Sequence, residues 1–288
     1  MHCPICHSNK LSCYKNAVSS VYTETDYELW TCSDCQHIFT APLPTAEILD
    51  DIYKNKYSYD LHLLIQQEKA YRAKKLAKYI KTLTGIQSVL EVGCMYGFLL
   101  KELQNSKLSL TGVEIDQKAV QHCQASNLNV INSSFKDFLQ TSSKKYDLVI
   151  MSHSLEHVPE PEAELKNLQK LLNANGKLLI VVPNSKALTT KLTGKYWGYW
   201  QVPVHLNHFN KSSLGYLLKR TGYTALAWSF RGADSLFFLS TLANLRKTKS
   251  TEVKLGGFSQ KLIRIYSSII KYWYLLGSED LVVLAKKN

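Results

Sequence analysis

From Ser88 onward the chain alternates short apolar runs with amphipathic segments. The apolar runs "SVLEV", "LSLTGVEI", "NVIN", "YDLVIM", "GKLLIVV", "YTALAWSF" and "LVVLAKK" have strand length and no clean inside-outside alternation. Between them, "FLLKELQ", "KAVQHCQAS", "PEAELKNLQKLL" and "KSSLGYLLKRTG" carry helical periodicity. Strands that are apolar throughout, separated by amphipathic helices, predict a parallel sheet buried on both faces, a doubly wound α/β domain of Rossmann type. A helical insertion is expected over about 233–278, before the last strand.

Upstream the pattern differs. Residues 1–40 hold "CPIC", a strand-like "YELWTC" and "CSDC", as in a small ribbon with cysteine-bearing turns. In the following "APLPTAEILDDIY", Pro42 and Pro44 interrupt regular structure and Thr45 is placed to cap a helix. A lysine-rich helix is predicted over Leu61 to Leu83, with Leu61, Leu64, Ile65, Leu76 and Ile80 as its core stripe. The expected organisation is therefore a ribbon at 1–40, a linker and helix at 41–84, and the α/β domain at 85–288.

Composition narrows the setting. A chain of 288 residues can bury a full core. No apolar run reaches the roughly 18 residues a membrane span requires, and "MHCPICHSNK" is not a secretory leader, so a cytoplasmic protein is expected. The net charge of +12 favours anionic partners without choosing among them. Residues 259–276 read as a basic, aromatic-edged helix, suited to covering the sheet, to a dimer face or to peripheral membrane contact.

Of seven cysteines, Cys3, Cys6, Cys32 and Cys35 form two Cys-x-x-Cys pairs. Two thiolate pairs on separate turns can close a tetrahedron around zinc, and four sulfur ligands leave no open position, so the metal would be structural. His2, His7 and His37 are near enough to replace one of the cysteines.

The stretch "EVGCMYG" (91–97) stands between a strand and a helix, where a nucleotide-binding loop belongs. Gly93 allows close backbone approach and Gly97 relaxes the turn into the helix, while Met95 occupies the place of a middle glycine. A left-handed backbone at Met95 would be strained. The G-x-G-x-x-G fingerprint is absent, which disfavours a nicotinamide enzyme. Glu114, ending the next strand in "GVEID", is placed to accept from a ribose diol, and Glu91 with Glu114 would favour a cationic ligand.

With these residues in view the chain resembles a class I S-adenosylmethionine-dependent methyltransferase from about residue 85 to the C-terminus. The motifs that carry the resemblance are "EVGCMYG", "GVEID", "NSSFKDF" and, above all, "YDLVIMSHSLEHV" followed by Pro161. The resemblance implies a seven-stranded sheet whose last strand is antiparallel. It places the cofactor against Glu91, Gly93, Cys94, Gly97, Glu114, Ile115, Ser134, Phe135 and Ser152. The ribbon, the Pro-Leu-Pro segment and the tyrosines after it resemble the front end of bacterial sugar C-methyltransferases and kindred natural-product enzymes.

For the chemistry, His157 is the first candidate for general base, with His153 and His205 as others; a structural hydrogen bond is the alternative for His157. The segment "KYWGYWQVPVHLNHFN" (195–210) offers Trp197, Tyr199, Trp200 and His208 as acceptor contacts, or as packing. The expected reaction is methyl transfer to a small-molecule acceptor, with a hydroxyl of a sugar, glycan precursor or natural product favoured. Two alternatives stay open: an RNA methyltransferase gripping phosphates with its ribbon and basic helices, and a non-catalytic zinc-ribbon interaction protein.

Overall fold

The computed structural model describes residues 1–56, 66–231, 241 and 279–288. The start of the predicted helix at 61–65, the insertion at 233–278 apart from Thr241, and the basic segment at 259–276 lie outside the described residues.

The first strands are β1 (Leu11–Ser19), β2 (Asp26–Cys32) and β3 (Ile38–Ala41). Helix α1 (Ala46–Asp51) follows, with Thr45 accepting from Ile48 N as the sequence pattern predicts, and it runs on into a wider turn at Ile52–Lys56. Helix α2 (Gln66–Ile80) leads into the α/β region: β4 (Ser88–Val92), α3 (Phe98–Leu103), β5 (Ser109–Glu114), α4 (Gln117–Ala125), β6 (Val130–Asn132), α5 (Phe135–Thr141) and β7 (Tyr146–Ser152). After a single tight turn at Leu155–His157 come α6 (Pro161–Leu168), β8 (Leu172–Pro183), α7 (Leu188–Thr193), β9 (Asn207–His208), α8 (Lys211–Arg220), β10 (Tyr223–Arg231) and β11 (Asp280–Lys287).

Seven strands form one sheet in the order β10-β11-β8-β7-β4-β5-β6. The pairs from β8 through β6 are parallel, and β11 runs antiparallel to both of its neighbours. Both faces are covered, for a reason visible in the strands themselves. Leu90, Val92, Val149, Met151, Ile180 and Val283 point to one side, against Phe138, Leu165, Leu168 and Leu214. Their neighbours Val89, Leu148, Ile150, Val181 and Val282 point to the other, against Leu76, Ile80, Leu99 and Leu103. Successive side chains of a strand face opposite ways, so a strand buried twice is apolar at most of its positions.

The chain leaves β4 toward β5 and β6, then returns to β7 on β4's other side. Such a reversal opens a crevice at the carboxyl ends of β4 and β7, where ligands bind in sheets of this kind.

A second sheet has the order β1-β2-β3-β9, so its fourth strand comes from residues far along the chain. Cys3, Ile5, Cys32 and Cys35 belong to the same buried cluster as Leu90, Ile180 and Leu214, which roots the cysteine-bearing turns in the core beside the large sheet.

Candidate active site

The loop after β4 is built on left-handed backbone. Gly93 and Gly97 have φ of 71° and 67°, and Met95 between them has φ of 49°. Only glycine adopts this region freely; a residue with a Cβ is strained there by about 1–2 kcal/mol. Met95 is held in place by its surroundings: its N–H donates to Glu114 Oε2 at 2.8 Å, and the Cys123 thiol donates to its carbonyl at 3.3 Å. The strain expected of a left-handed Met95 is thus present, and the loop is tied down at that residue.

Glu114, at the end of β5, accepts two further backbone N–H groups, from Ile115 at 2.8 Å and Asp116 at 2.9 Å. It therefore organises the turn after its own strand as well as the loop opposite. Burial raises its pKa, and these N–H groups oppose the rise. Glu91, 5 % exposed, is pushed up to about 8, first by burial and then by Cys123 and Glu114. At neutral pH it carries a proton that a nearby cation would drive off.

The other expected cofactor residues fall around the same edge. Cys94 is buried beneath the loop, and a Cβ on Gly112 would meet its sulfur at 2.7 Å, so the neighbouring strand needs glycine there. Ile115 is 67 % exposed. Ser134 caps α5 by accepting from Asp137 N, and the segment before it is bound to the end of β5 through Ser133 N and Glu114 O at 3.0 Å. Phe135 packs on the core and Ser152 closes β7.

The loop after β7 lies directly beside that after β4. Ser154 Oγ donates to Val92 O at 2.7 Å, and a Cβ on Gly93 would collide with that same oxygen at 2.7 Å. This close approach requires glycine at position 93 independently of any ligand. Beyond Ser154 comes the motif "LEH". His157 Nδ1 lies 3.0 Å from Val204 O and 3.1 Å from Tyr53 Oη. Because a carbonyl only accepts, Nδ1 carries the hydrogen and Nε2 keeps its lone pair. Burial holds His157 below its ordinary pKa. A neutral imidazole with a free Nε2 is the form a general base needs.

His153 has different surroundings. Its Nε2 lies 3.5 Å from Asp280 Oδ2 and its Nδ1 3.3 Å from Glu156 Oε1. Burial opposes charge on the ring, but Asp280 and then Glu156 raise its pKa to about 9. Two carboxylates that favour charge on the ring make His153 a poorer proton acceptor than His157. His205 is 5 % exposed, is lowered by burial and then by His157 and His208, and donates from Nδ1 to Tyr199 O at 2.8 Å.

The aromatic segment is largely buried. Trp197 and Trp200 are fully buried, clustered with Val18, Leu29 and Ile38 of the small sheet. Their indole N–H groups are spent internally, Trp197 on Thr189 and Glu279 and Trp200 on Gly194 O. His208 is 2 % exposed and bonded to Thr40 Oγ1. These side chains pack the ribbon against the larger domain, and Tyr199, 4 % exposed in the same cluster, has its ring 6.3 Å from that of His153. Large rings this close to a second sheet are buried by it, so of the two roles expected for Trp197 and Trp200 the burial favours packing, and His208 lies with them.

The four cysteines meet. Cys3 Sγ and Cys35 Sγ are 3.5 Å apart, as are Cys6 Sγ and Cys32 Sγ, and all four sulfurs lie within 4.8 Å of one another. A zinc tetrahedron with bonds of about 2.3 Å has sulfur separations of about 3.8 Å, so the set fits the ion. The histidines near it bond elsewhere, His7 to Glu162 and His37 to Asn207.

The profile of a methyltransferase domain family matches residues 61–227. The chain belongs to this methyltransferase domain family. Among curated relatives, a ubiquinone biosynthesis O-methyltransferase of Glaesserella parasuis is 27 % identical over 137 residues, 43 % of this chain and 58 % of that protein. One of the same description from Coxiella burnetii is 31 % identical over 137 residues, 44 % of this chain and 58 % of that protein. The methyltransferase chain thus spans somewhat over half the length of these relatives. A solved S-adenosylmethionine-dependent methyltransferase of Archaeoglobus fulgidus superposes with a TM-score of 0.53 at 21 % identity, covering 84 % of this chain and 100 % of that one. The plantazolicin methyltransferase BpumL, solved with S-adenosylhomocysteine, gives 0.53 at 17 % identity, covering 83 % and 93 %. At such identities the structural likeness speaks for the fold.

Several residues of the site carry no local signal in the sequence. Tyr53 reaches His157 from the linker; Arg72 of α2 reaches Asp280, at 3.2 Å, across more than two hundred residues. Glu156 was visible only as a letter of the "EHV" motif.

Proposed function

We propose that the protein transfers a methyl group from S-adenosylmethionine to a hydroxyl of a small-molecule acceptor, a sugar, glycan precursor or natural product, with His157 as general base. The observation that carries this reading is the hydrogen bond of His157: Nδ1 lies 3.0 Å from Val204 O, which leaves the lone pair on Nε2, in the turn that follows the Ser154 contact with Val92 O. Oxygen as the accepting atom is supported by the O-methyltransferase names of the curated relatives.

On this reading Glu91, Gly93, Cys94, Gly97, Glu114, Ile115, Ser134, Phe135 and Ser152 hold the cofactor, which supplies an activated methyl on a sulfonium when bound. Glu114 is suited to the ribose, since its oxygens still have lone pairs beyond the three backbone bonds, and Glu91 to the positive charge. His157 takes the hydroxyl proton at Nε2 as the acceptor oxygen takes the methyl, and the imidazolium formed is favoured by the nearby Glu156. His153, already protonated, is left to position the turn. Residues 1–40 act as a zinc ribbon with a structural ion on Cys3, Cys6, Cys32 and Cys35, ahead of the connecting segment 41–84 and the methyltransferase domain 85–288.

Calorimetry with S-adenosylmethionine and turnover over a panel of hydroxyl acceptors test the proposal. Glu114→Ala should weaken cofactor binding at least about tenfold, from loss of a charge-assisted acceptor. His157→Asn, which keeps a donor toward Val204 O, should lower kcat roughly a hundredfold or more with cofactor affinity intact. Failure of the wild-type protein to bind the cofactor, or full turnover in His157→Asn, would overturn it.

A further inference from the structure

The crevice holds a donor set that proton transfer alone does not use. A ring nitrogen of His157, a ring nitrogen of His205 and a carboxyl oxygen of Glu156 lie within 4.8 Å of one another. The two imidazoles are fixed alike. Nδ1 of His157 is 3.0 Å from Val204 O and Nδ1 of His205 is 2.8 Å from Tyr199 O. Each Nδ1 therefore carries the hydrogen, and each Nε2 retains its lone pair. Support of one ring nitrogen by a backbone carbonyl is how imidazoles are oriented for ligation at the other. The rings stand at 87° with centroids 4.7 Å apart, so both can address one point without stacking.

Glu156 completes the set. It is 1 % exposed, and neither of its carboxyl oxygens has a hydrogen-bond partner among the described residues. Oε1 is 3.3 Å from His153 Nδ1, an ion-pair distance without hydrogen-bond geometry. The His153 ring balances charge at Oε1, but Oε2 has no such contact, and a buried carboxyl oxygen without a partner is costly. A cation shared with two imidazole lone pairs supplies one.

We propose that Glu156, His157 and His205 form a second metal site, separate from the four cysteines, for a borderline divalent cation of the zinc or cobalt type. Two imidazoles and one carboxylate suit that class; magnesium and calcium prefer oxygen ligands throughout. Bonds of about 2.1 Å ask for donor separations of about 3.4 Å, so the donors, now within 4.8 Å of one another, would have to draw together on binding. Three protein ligands leave a coordination position open. One consequence rests on the proposed function: a cation on His157 Nε2 occupies the lone pair that would accept the hydroxyl proton, so occupancy suppresses turnover while cofactor binding persists.

Cobalt(II) titration of the metal-free, full-length protein, followed by absorption and calorimetry, tests this directly. Ligation by the cysteines gives thiolate-to-metal charge-transfer bands; ligation by nitrogen and oxygen does not. The expected result is a second equivalent bound without added thiolate bands. Glu156→Gln and His205→Asn should each weaken that equivalent at least about tenfold, since losing a ligand costs no less than losing an outer partner of one. The thiolate-bound equivalent should be unchanged in both, which also shows that the variants fold, and His205→Asn keeps a donor for Tyr199 O. Binding of no equivalent beyond the cysteines, or of one indifferent to both substitutions, would overturn the site. If His157→Asn retained turnover, the base reading would fail while the titration still decided the metal.

Discussion

Met95 offers the sharpest test of how the loop is held. Its φ of 49° strains any residue with a Cβ, whereas glycine takes that conformation freely. Comparing Met95→Ala with Met95→Gly removes the side chain from both and leaves the backbone as the difference. The left-handed strain relieved by glycine is about 1–2 kcal/mol. Glycine in turn loses about 0.4–1 kcal/mol through the greater freedom of its unfolded chain. The net expectation is that the glycine variant is more stable than the alanine variant by about 0.5–1 kcal/mol, or roughly 2 °C in Tm for a chain of this size. Thermal unfolding followed by circular dichroism at matched cofactor concentration reads this difference. A Gly97→Ala control should lose far more, because its added Cβ would sit 2.6 Å from Leu128 Cδ1 and 2.9 Å from Cys123 Sγ as well as at positive φ. If the alanine variant at position 95 proved as stable as the glycine variant, the loop would not be strained there, and the account of Glu114 and Cys123 holding it would be wrong.

Three other outcomes follow from the structure. Glu91, raised to about 8, is protonated at pH 7, so binding of a cationic cofactor should release close to one proton, with affinity rising as pH approaches 8 and levelling above it; a calorimetric enthalpy independent of buffer ionisation heat would contradict this. Glu162 contacts His7, Lys166 and Arg220 at 2.8, 2.7 and 3.0 Å, and although burial pushes its pKa up, Lys166, His7 and Arg220 bring it to about 2. Its stabilisation is therefore present above pH 4.5 and lost as pH falls toward 2. The shift corresponds to about 3 kcal/mol, discounted to about 1–2 because Lys166 and Arg220 are largely solvated, and the gap between wild type and Glu162→Gln should close on acidification; a gap that persists at pH 2 argues against the pairing. Finally, stripping metal from Cys3, Cys6, Cys32 and Cys35 should lower the Tm of the whole protein, since those residues share a core cluster with β4 and β8; an unchanged Tm with a strong chelator would remove the zinc.

The gap between sequence and structure follows the range of the interactions. Strands such as 88–92 and 146–151 announced themselves because burial on both faces leaves most positions apolar, and Thr45 announced a helix because a cap acts over three residues. The glycines at 93 and 97 were legible through their positive φ, which is local to the backbone, whereas the crowding by Ser154, Leu128 and Cys123 that also requires them was not. The fates of the histidines were not. His153 and His157 stand four residues apart in one motif, yet Asp280 favours charge on the first, while burial keeps the second neutral and Val204 O fixes its hydrogen on Nδ1. Trp197 and Trp200 could be read as acceptor contacts or as packing, and the residues of the second sheet clustered around them favour packing.

The sequence by itself determined the layered α/β architecture, the cysteine pairs and the loop after β4, because periodicity, spacing and backbone preference are written within a few residues of one another. Only the tertiary structure decided which imidazole can accept a proton, which rings are interior, and that Glu156, His157 and His205 converge. Those outcomes depend on burial and on partners contributed by residues 50 to more than 120 positions away, and no local pattern records them.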